Sequence, residues 1–272
     1  MPSAGRLSPT VAQVVGGLRQ WPAAVVDFLY PPICILCLRR LERGRQSICL
    51  ACENLLRVAD EWRCRRCGAH GSAEMAPAGD RPCRLCPPAG AHYQGVLAVV
   101  GYNDASQALV HRFKYHRRLE VGEAIARLMA DDLRRPLSQL HGRLDCVAPV
   151  PLHWRRRWER GFNQSLLLAR AVSQASGIEL NPALLRRKRH TRRQALVPRA
   201  SRAQNVRGAF ALAVEPGALA GRGVLLVDDV VTTGSTIEEC ARVLRAGGAR
   251  EVWVACFARA GMATSLERDQ IR

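Results

Sequence analysis

Residues Val224–Thr236 read VLLVDDVVTTGST. Four apolar residues, Val224 to Val227, make a short buried strand. Two carboxylates, Asp228 and Asp229, follow directly, and after Val230 and Val231 comes the run Thr232, Thr233, Gly234, Ser235, Thr236. From Ile237 to Ala246 the spacing of Ile237, Ala241 and Leu244 predicts an amphipathic helix, ended by Gly247 and Gly248. Val252 to Cys256 (VWVAC) is the next buried strand. The unit is therefore β-loop-α-β, with its polar residues gathered at a strand's carboxyl end.

That position sets the chemistry. The loop feeds a helix amino terminus, where unpaired N–H groups and the helix dipole favour an anion. Gly234 lets backbone amides approach a phosphate, and the hydroxyls of Thr232, Thr233, Ser235 and Thr236 add donors. Asp228 and Asp229 would repel that phosphate, so they need another partner, and two acceptor-only groups suit the vicinal hydroxyls of a ribose. A solvated Asp-Asp turn closing an ordinary strand accounts for the carboxylates but leaves the hydroxyl run without a role. No Gly-Lys-Ser/Thr occurs here, which excludes a Walker A loop.

Working outward, the order strand, helix, strand, helix, strand, helix, strand runs from Gly95 to Cys256. Gly95–Tyr102 (GVLAVVGY) reads as a strand, and Asn103–Leu109 starts a helix that continues through Leu128–Leu133 with a break near Tyr115–Arg118. Leu144–Val150 is a second strand, stopped by Pro149 and Pro151. The segment LHWRRRWERGFNQS follows, then an amphipathic helix through Leu166, Leu167, Ala169, Val172 and Ala175, closed by Gly177. Such an order predicts an α/β fold, a mostly parallel sheet with helices on both faces. Ligands in these sheets lie beyond the strands' carboxyl ends. The Pro149-Val150-Pro151 turn and the Asp228–Thr236 loop should then face one crevice. Arg156, Arg157 and Arg160 follow that turn and suit bidentate binding of a pyrophosphate. Their interleaving with Trp154 and Trp158 suits single-stranded nucleic acid equally, and a solvated basic face would look the same.

Eight of the eleven cysteines fall between residues 34 and 86, in four CxxC pairs: Cys34/Cys37, Cys49/Cys52, Cys64/Cys67 and Cys83/Cys86. Each pair can bite one tetrahedral metal through two thiolates. Sequential pairing gives two zinc sites of four thiolates each; interleaved pairing and iron–sulfur ligation share the spacing. Disulfides fit poorly with a chain that shows no export signal, and redox CxxC motifs come singly. The segment is poor in large apolar residues, so metal takes the place of a core there. Cys146, Cys240 and Cys256 sit in predicted strands or a helix and read as buried, inert thiols.

With 41 basic against 23 acidic residues the net charge is +18, and only Lys114 and Lys188 are lysines. Residues 141–210 hold 15 Arg or Lys and 3 Asp or Glu, so two-thirds of the excess lies in about a quarter of the chain. This suits phosphate or nucleic-acid partners. No apolar stretch reaches the roughly eighteen residues of a membrane span, and the amino terminus has no signal-peptide pattern, which makes a cytoplasmic location the expectation. Residues 1–9 read as disordered and Thr10–Tyr30 as one or two short helices broken near Pro22. The organisation expected is an N-terminal helical segment (1–30), a Cys-rich zinc module (31–90), a large domain (91–260) and a C-terminal tail (261–272).

Taken together these motifs resemble the ComF/GntX family of phosphoribosyltransferase-like proteins. The match runs through Val147, Pro149, Val150, Pro151, Leu152, Arg156, Arg160, Gly161, Phe162, Asn163 and Gln164, and again at Gln194, Arg202, Asn205, Gly208, Ala209 and Phe210. Phe28-Leu29-Tyr30-Pro31-Pro32 and the CxxC pairs are similar as well, and the thirteen-residue stretch resembles the phosphoribosyl-pyrophosphate signature of type I phosphoribosyltransferases. The resemblance implies a type I phosphoribosyltransferase-like fold with an amino-terminal zinc module. It implies that Asp228 and Asp229 bind ribose hydroxyls, that Thr232 to Thr236 cradle the 5′-phosphate with Val230 and Val231 also at the ligand, and that a hood over about 178–212 covers the site. Magnesium would bridge the pyrophosphate oxygens. A role in DNA uptake during natural transformation, with single-stranded DNA and a competence or helicase partner, is implied too, and gluconate utilisation in some members. Purine-salvage enzymes carry an aspartate where this chain has Thr232, so the acceptor stays unnamed. Three functions fit: an active transferase, a nucleic-acid-binding accessory protein, and a sensor of phosphoribosyl pyrophosphate.

Overall fold

The computed structural model describes residues 31–260 apart from 43–46, 58–61, 65, 72–75, 78–81, 84, 87–88, 116–118, 193, 195–196 and 216. The expected N-terminal helices and C-terminal tail lie outside the described residues. The chain divides into two compact units, residues 1–49 and 50–272. In the first, a bridge pairs Ile33 with Arg40 in antiparallel sense, and the Cys34 N–H donates to the Arg39 carbonyl at 2.8 Å.

The second unit opens with helix α1 (Leu50–Arg57) and a short antiparallel ribbon of β1 (Trp62–Arg63) and β2 (His70–Gly71). There follow β3 (Gly95–Gly101), α2 (Asp104–Tyr115), α3 (Leu119–Ser138), β4 (Cys146–Pro149), α4 (Trp154–Arg160) and α5 (Gln164–Ser176). The remainder is β5 (Leu185–Arg187), a 3-10 turn at Arg199–Ser201, α6 (Arg202–Val206), β6 (Phe210–Leu212), β7 (Gly223–Val231), α7 (Ser235–Ala246) and β8 (Glu251–Arg259). The Cys-rich stretch therefore falls in both units. Its second half packs directly on the sheet: the Val96 N–H donates to the Arg66 carbonyl at 3.1 Å, and the Arg63 guanidinium reaches the Val99 carbonyl at 3.2 Å. Gly68 makes this approach sterically feasible. Its φ is +67°, and a Cβ there would sit 2.7 Å from the Val96 oxygen.

Strands β3, β8, β7 and β4 form one sheet in that order, every pair parallel. Their composition requires it. In β7 Val224 to Val227 are all buried, as are Val252 and Val254 to Ala258 of β8, and strands apolar on both faces need cover on both. Alternate residues of β7 point to opposite faces. Val224 and Leu226 join a core with Ile237, Ala241 and Leu244 of α7. Leu225 and Val227 turn to the other side, where α5 lies along β7 and β4 and α3 packs on α5. Val121, Ile125, Met129, Leu133 and Leu137 form the buried stripe of α3. Truncating a side chain as buried as Leu225 to alanine would cost about 2–5 kcal/mol.

Two expectations need adjustment. The decisive strand was expected to end at Val227; β7 runs on to Val231, because β8 continues beside it and pairs Val230 with Ala258 and Val231 with Arg259. Arg155 to Arg160, read without secondary structure, form α4. Within the hood expected over about 178–212 the chain forms β5 and α6. With β6 these make a cover held to α7, where the Gly208 N–H donates to Glu239 Oε1 at 2.7 Å. Among the described residues no helix is long and apolar enough to cross a membrane.

Candidate functional site

The carboxyl ends of β4 and β7 lie side by side. Pro149 is in register with Val227, and the Val150 N–H donates to the Val227 carbonyl at 2.9 Å. The Pro149–Pro151 turn is thus brought next to Asp228, as its position after a parallel strand requires. Asp228 and Asp229 occupy the last turns of the pleat rather than a loop. The Ser165 hydroxyl, from the first turn of α5, donates to Asp228 Oδ1 at 3.0 Å, and the Asp229 N–H donates to the same oxygen at 2.9 Å. Burial, reinforced by the neighbouring Asp229 carboxylate, pushes the Asp228 pKa up to about 7; Lys114 and the two hydrogen bonds oppose that rise without cancelling it. Asp229 is buried, and Lys114 Nζ on α2 lies 3.0 Å from its Oδ2.

Past the carboxylates, Gly234 turns the chain into α7 with φ of +80°. Its Cβ position is 3.3 Å from the Tyr93 hydroxyl, so a larger residue would meet both a left-handed backbone and a neighbour. The Thr233 and Ser235 hydroxyls are 2.9 Å apart, and the Ser235 N–H lies 3.4 Å from Thr233 Oγ1. Hydroxyls and amides at the start of a twelve-residue helix make a concave donor surface.

The cover reaches down onto this loop. Arg202 Nη1 donates to Thr232 Oγ1 at 3.3 Å, and Gln194 Nε2 to Thr236 Oγ1 at 3.3 Å. Asn205 Nδ2 holds Gln194 Oε1 at 3.0 Å. Arg156, expected at a pyrophosphate, is buried and donates to the Thr191 carbonyl at 2.7 Å, tying α4 to the cover. Arg160 donates to Gln164 Oε1 at 3.1 Å, and the side chain of Arg157 lies outside what the structure describes. Among the described residues the buried Asn163 Oδ1, Gln164 Nε2 and Arg187 Nε atoms have no hydrogen-bond partner. Asn163 and Gln164 directly precede Ser165. Desolvation lowers the Arg187 pKa, with the Asp228 charge opposing. Ser165, Lys114, Gln194 and Arg202 were not picked out as site residues. Their only signal was the sequence match at Gln194 and Arg202; Lys114 and Ser165 reach the carboxylates through tertiary packing alone.

The second cysteine set is compact. Cys64 and Cys86 sulfurs are 3.5 Å apart, Cys67 and Cys83 3.4 Å, Cys83 and Cys86 3.7 Å. A tetrahedron with metal–sulfur bonds of about 2.3 Å has an edge of about 3.8 Å, whereas a disulfide bond is about 2.05 Å. The spacing suits four thiolates round one zinc ion. Burial opposes ionisation of Cys64, but the N–H groups of Cys67 and Arg66 outweigh it and bring its pKa down to about 7. In the first unit Cys34, Cys37 and Cys49 gather in the same way, with the Cys37 and Cys49 sulfurs 3.7 Å apart. Burial again opposes, and the N–H groups of Cys37, Cys49 and Leu36 prevail, lowering Cys34 to about 6. Cys52, three residues after Cys49, stands in the first turn of α1. Within the second unit the Cys64/Cys67 pair thus joins Cys83/Cys86. Cys146, Cys240 and Cys256 are buried in the sheet and α7, and burial raises all three thiols.

Comparison with known proteins agrees with this geometry. Residues 25–87 match the double zinc ribbon domain, and residues 163–271 match the phosphoribosyl transferase domain. DNA utilization protein YhgH of Escherichia coli strain K12 is 34% identical over 236 residues, spanning 84% of this chain and 97% of that protein. Competence protein F of Haemophilus influenzae is 31% identical over 228 residues, covering 84% and 96%. Competence protein ComFC of Bacillus subtilis is 25% identical over 208 residues, covering 73% and 78%. With two relatives above 30% identity along nearly their whole length, and with both domain matches on this chain, it belongs to the ComF family of double-zinc-ribbon, phosphoribosyl transferase-domain proteins.

Proposed function

We propose that this protein binds phosphoribosyl pyrophosphate, or a ribose 5-phosphate built like it, at the carboxyl end of β7, and transfers the phosphoribosyl group to an acceptor. The observation that carries the reading is the pairing of two adjacent carboxylates, Asp229 buried and Asp228 half-buried, with a hydroxyl-rich helix amino terminus on one strand-to-helix connection. Asp228 and Asp229 take the ribose hydroxyls; Thr232 to Thr236 cradle the 5′-phosphate, with Val230 and Val231 leading into the cradle. The Pro149–Pro151 turn forms the neighbouring wall, with Arg156, Arg157 and Arg160 on the adjoining α4. Gln194 and Arg202 bring the cover over the loop. In transfer the bond from the anomeric carbon to the pyrophosphate oxygen breaks, and pyrophosphate leaves with the electron pair. The acceptor's nucleophile bonds to that carbon and gives up its proton. The protein's part is orientation and charge stabilisation. Magnesium bound with the ligand would supply charge neutralisation to the leaving pyrophosphate. No carboxylate stands at Thr232 to assist a purine base.

Isothermal calorimetry of the parent and the Asp228→Asn, Asp229→Asn double variant tests this. Each lost charge-assisted hydrogen bond should weaken binding of phosphoribosyl pyrophosphate and ribose 5-phosphate by about 1.5–3 kcal/mol, with inorganic phosphate unaffected. Equal affinity of both proteins for the two ribose ligands overturns the assignment.

A second reading, single-stranded nucleic acid handled without turnover, rests on α4. Trp154 and Trp158 are 66% and 84% exposed, four residues apart, and the Arg155 guanidinium lies 5.2 Å from the Trp154 ring centre. Exposed aromatic rings among arginines suit stacked bases. The names of the relatives, DNA utilization protein and competence protein, accord with such a partner. Salt-dependent binding of an oligonucleotide, lost in Trp154→Ala with Trp158→Ala and unaccompanied by pyrophosphate release, would favour this reading over transfer.

A further inference from the structure

Arg259 ends β8 and is 1% exposed, the largest of the fully buried side chains. Among the described residues no carboxylate pairs with it. Its guanidinium is satisfied by main-chain carbonyls from two separate parts of the unit. Nε donates to the Cys67 carbonyl at 3.0 Å and Nη2 to the Leu85 carbonyl at 3.4 Å. Nη1 donates to the Val231 carbonyl at 3.0 Å and also to that of Thr232. Cys67 is a member of the second cysteine set, and Leu85 directly precedes Cys86, another member. Val231 and Thr232 begin the loop that holds the hydroxyls.

We propose that Arg259 is a positioning residue that fixes the phosphate loop and joins it to the second zinc ribbon, so that zinc at Cys64, Cys67, Cys83 and Cys86 and ribose phosphate at Thr232–Thr236 bind with positive coupling. This rests on the ribose-phosphate reading of the loop. A buried cation with no counter-charge is stable only while its hydrogen-bond acceptors stay in place. The rigid planar fork of the guanidinium spans both sets of carbonyls, which a lysine ammonium cannot do. Loosening the ribbon removes two acceptors and frees the guanidinium to shift. The Val231 and Thr232 carbonyls then lose their anchor, and with them the orientation of the loop amides. Coupling of this kind is reciprocal: the ligand must hold zinc in the ribbon as firmly as zinc orders the loop for the ligand.

The test uses the full zinc-loaded chain and three measurements. Equilibrium zinc release to a chromogenic chelator is titrated with and without saturating ribose 5-phosphate. Ribose 5-phosphate affinity is read by calorimetry, and amide hydrogen exchange is followed across 231–236. In the parent, ribose 5-phosphate should raise by about tenfold the chelator concentration that half-removes one of the two zinc ions at equilibrium, within the usual span of allosteric coupling. Stripping zinc should speed exchange of the loop amides. In Arg259→Lys the zinc ions and the sheet should persist, with the ligand's effect on release falling below about twofold. A simple loss of packing would not remove coupling while leaving both sites occupied. Should Arg259→Lys fail to fold, the parent measurements decide alone. Zinc release indifferent to bound ribose 5-phosphate, or full coupling retained in Arg259→Lys, overturns the proposal. If the parent binds no ribose ligand, the ribose-phosphate reading fails and with it the proposed coupling. Exchange then decides the anchor alone: faster exchange on zinc removal supports it, and unchanged exchange refutes it.

Discussion

Replacing Asp228 by asparagine should stabilise the ligand-free protein at pH 8 and, on the proposed reading, weaken ribose-phosphate binding at the same time. Burial and the Asp229 charge raise the Asp228 pKa from its ordinary 3.8 to about 7. The sign follows from proton linkage. Between these two values the folded chain holds a proton that the unfolded chain has released, so folding weakens as pH rises. The stability associated with this group is fully present below about pH 4 and is lost progressively up to about pH 7. Between pH 5 and pH 8 the single-site linkage relation gives a loss of roughly 2–3 kcal/mol. Asparagine keeps an oxygen for the Ser165 hydroxyl and the Asp229 N–H, and it never ionises. The measurement is thermal unfolding of parent and variant, ligand-free, at pH 5 and pH 8 and constant ionic strength. Taking the difference between the proteins cancels the titration of groups they share. The variant should gain about 4–10 °C on the parent in going from pH 5 to pH 8, for a unit of about two hundred residues. A difference that does not change with pH, or that falls at pH 8, refutes the assignment of a strained, half-ionised carboxylate. The opposite directions of the two effects matter, because a carboxylate retained at a cost to folding is one retained for a ligand.

The other predictions concern the metal and the lysine. Elemental analysis should find about two zinc ions per chain, and disulfides with less than about half an equivalent of zinc would refute the four-thiolate sites. Cys52→Ser should lose one ion and leave the sheet-bearing region folded, as thermal unfolding followed through the buried core would show. Lys114→Met removes the partner of buried Asp229, 3.0 Å away. It should destabilise the chain by about 3 kcal/mol in urea unfolding, and an unchanged unfolding midpoint would refute the pairing.

The sequence by itself determined the elements whose information is local. Period-two and period-3.6 patterns are written in consecutive residues, so β7, α7 and β8 could be read from Val224 to Cys256 and their parallel arrangement inferred. The cysteine pairs declared themselves through spacing, since one CxxC turn offers two thiolates to one metal. The placing of two carboxylates before a hydroxyl-rich helix start was equally plain. Tertiary structure alone decided the rest. The Trp154–Arg160 helix escaped because arginines and exposed tryptophans leave no apolar stripe, and its first turn is held by a bond from Arg156 to the cover. The pairing of β7 with β8 carried the strand through both aspartates. Lys114 and Ser165 meet those aspartates across 115 and 63 residues of sequence, and Arg259 meets Cys67 across 192. The Asp228 pKa belongs with them. Desolvation and the fields of neighbouring charges depend on distance in space, and a linear string of residue types carries no such distances until the chain has folded.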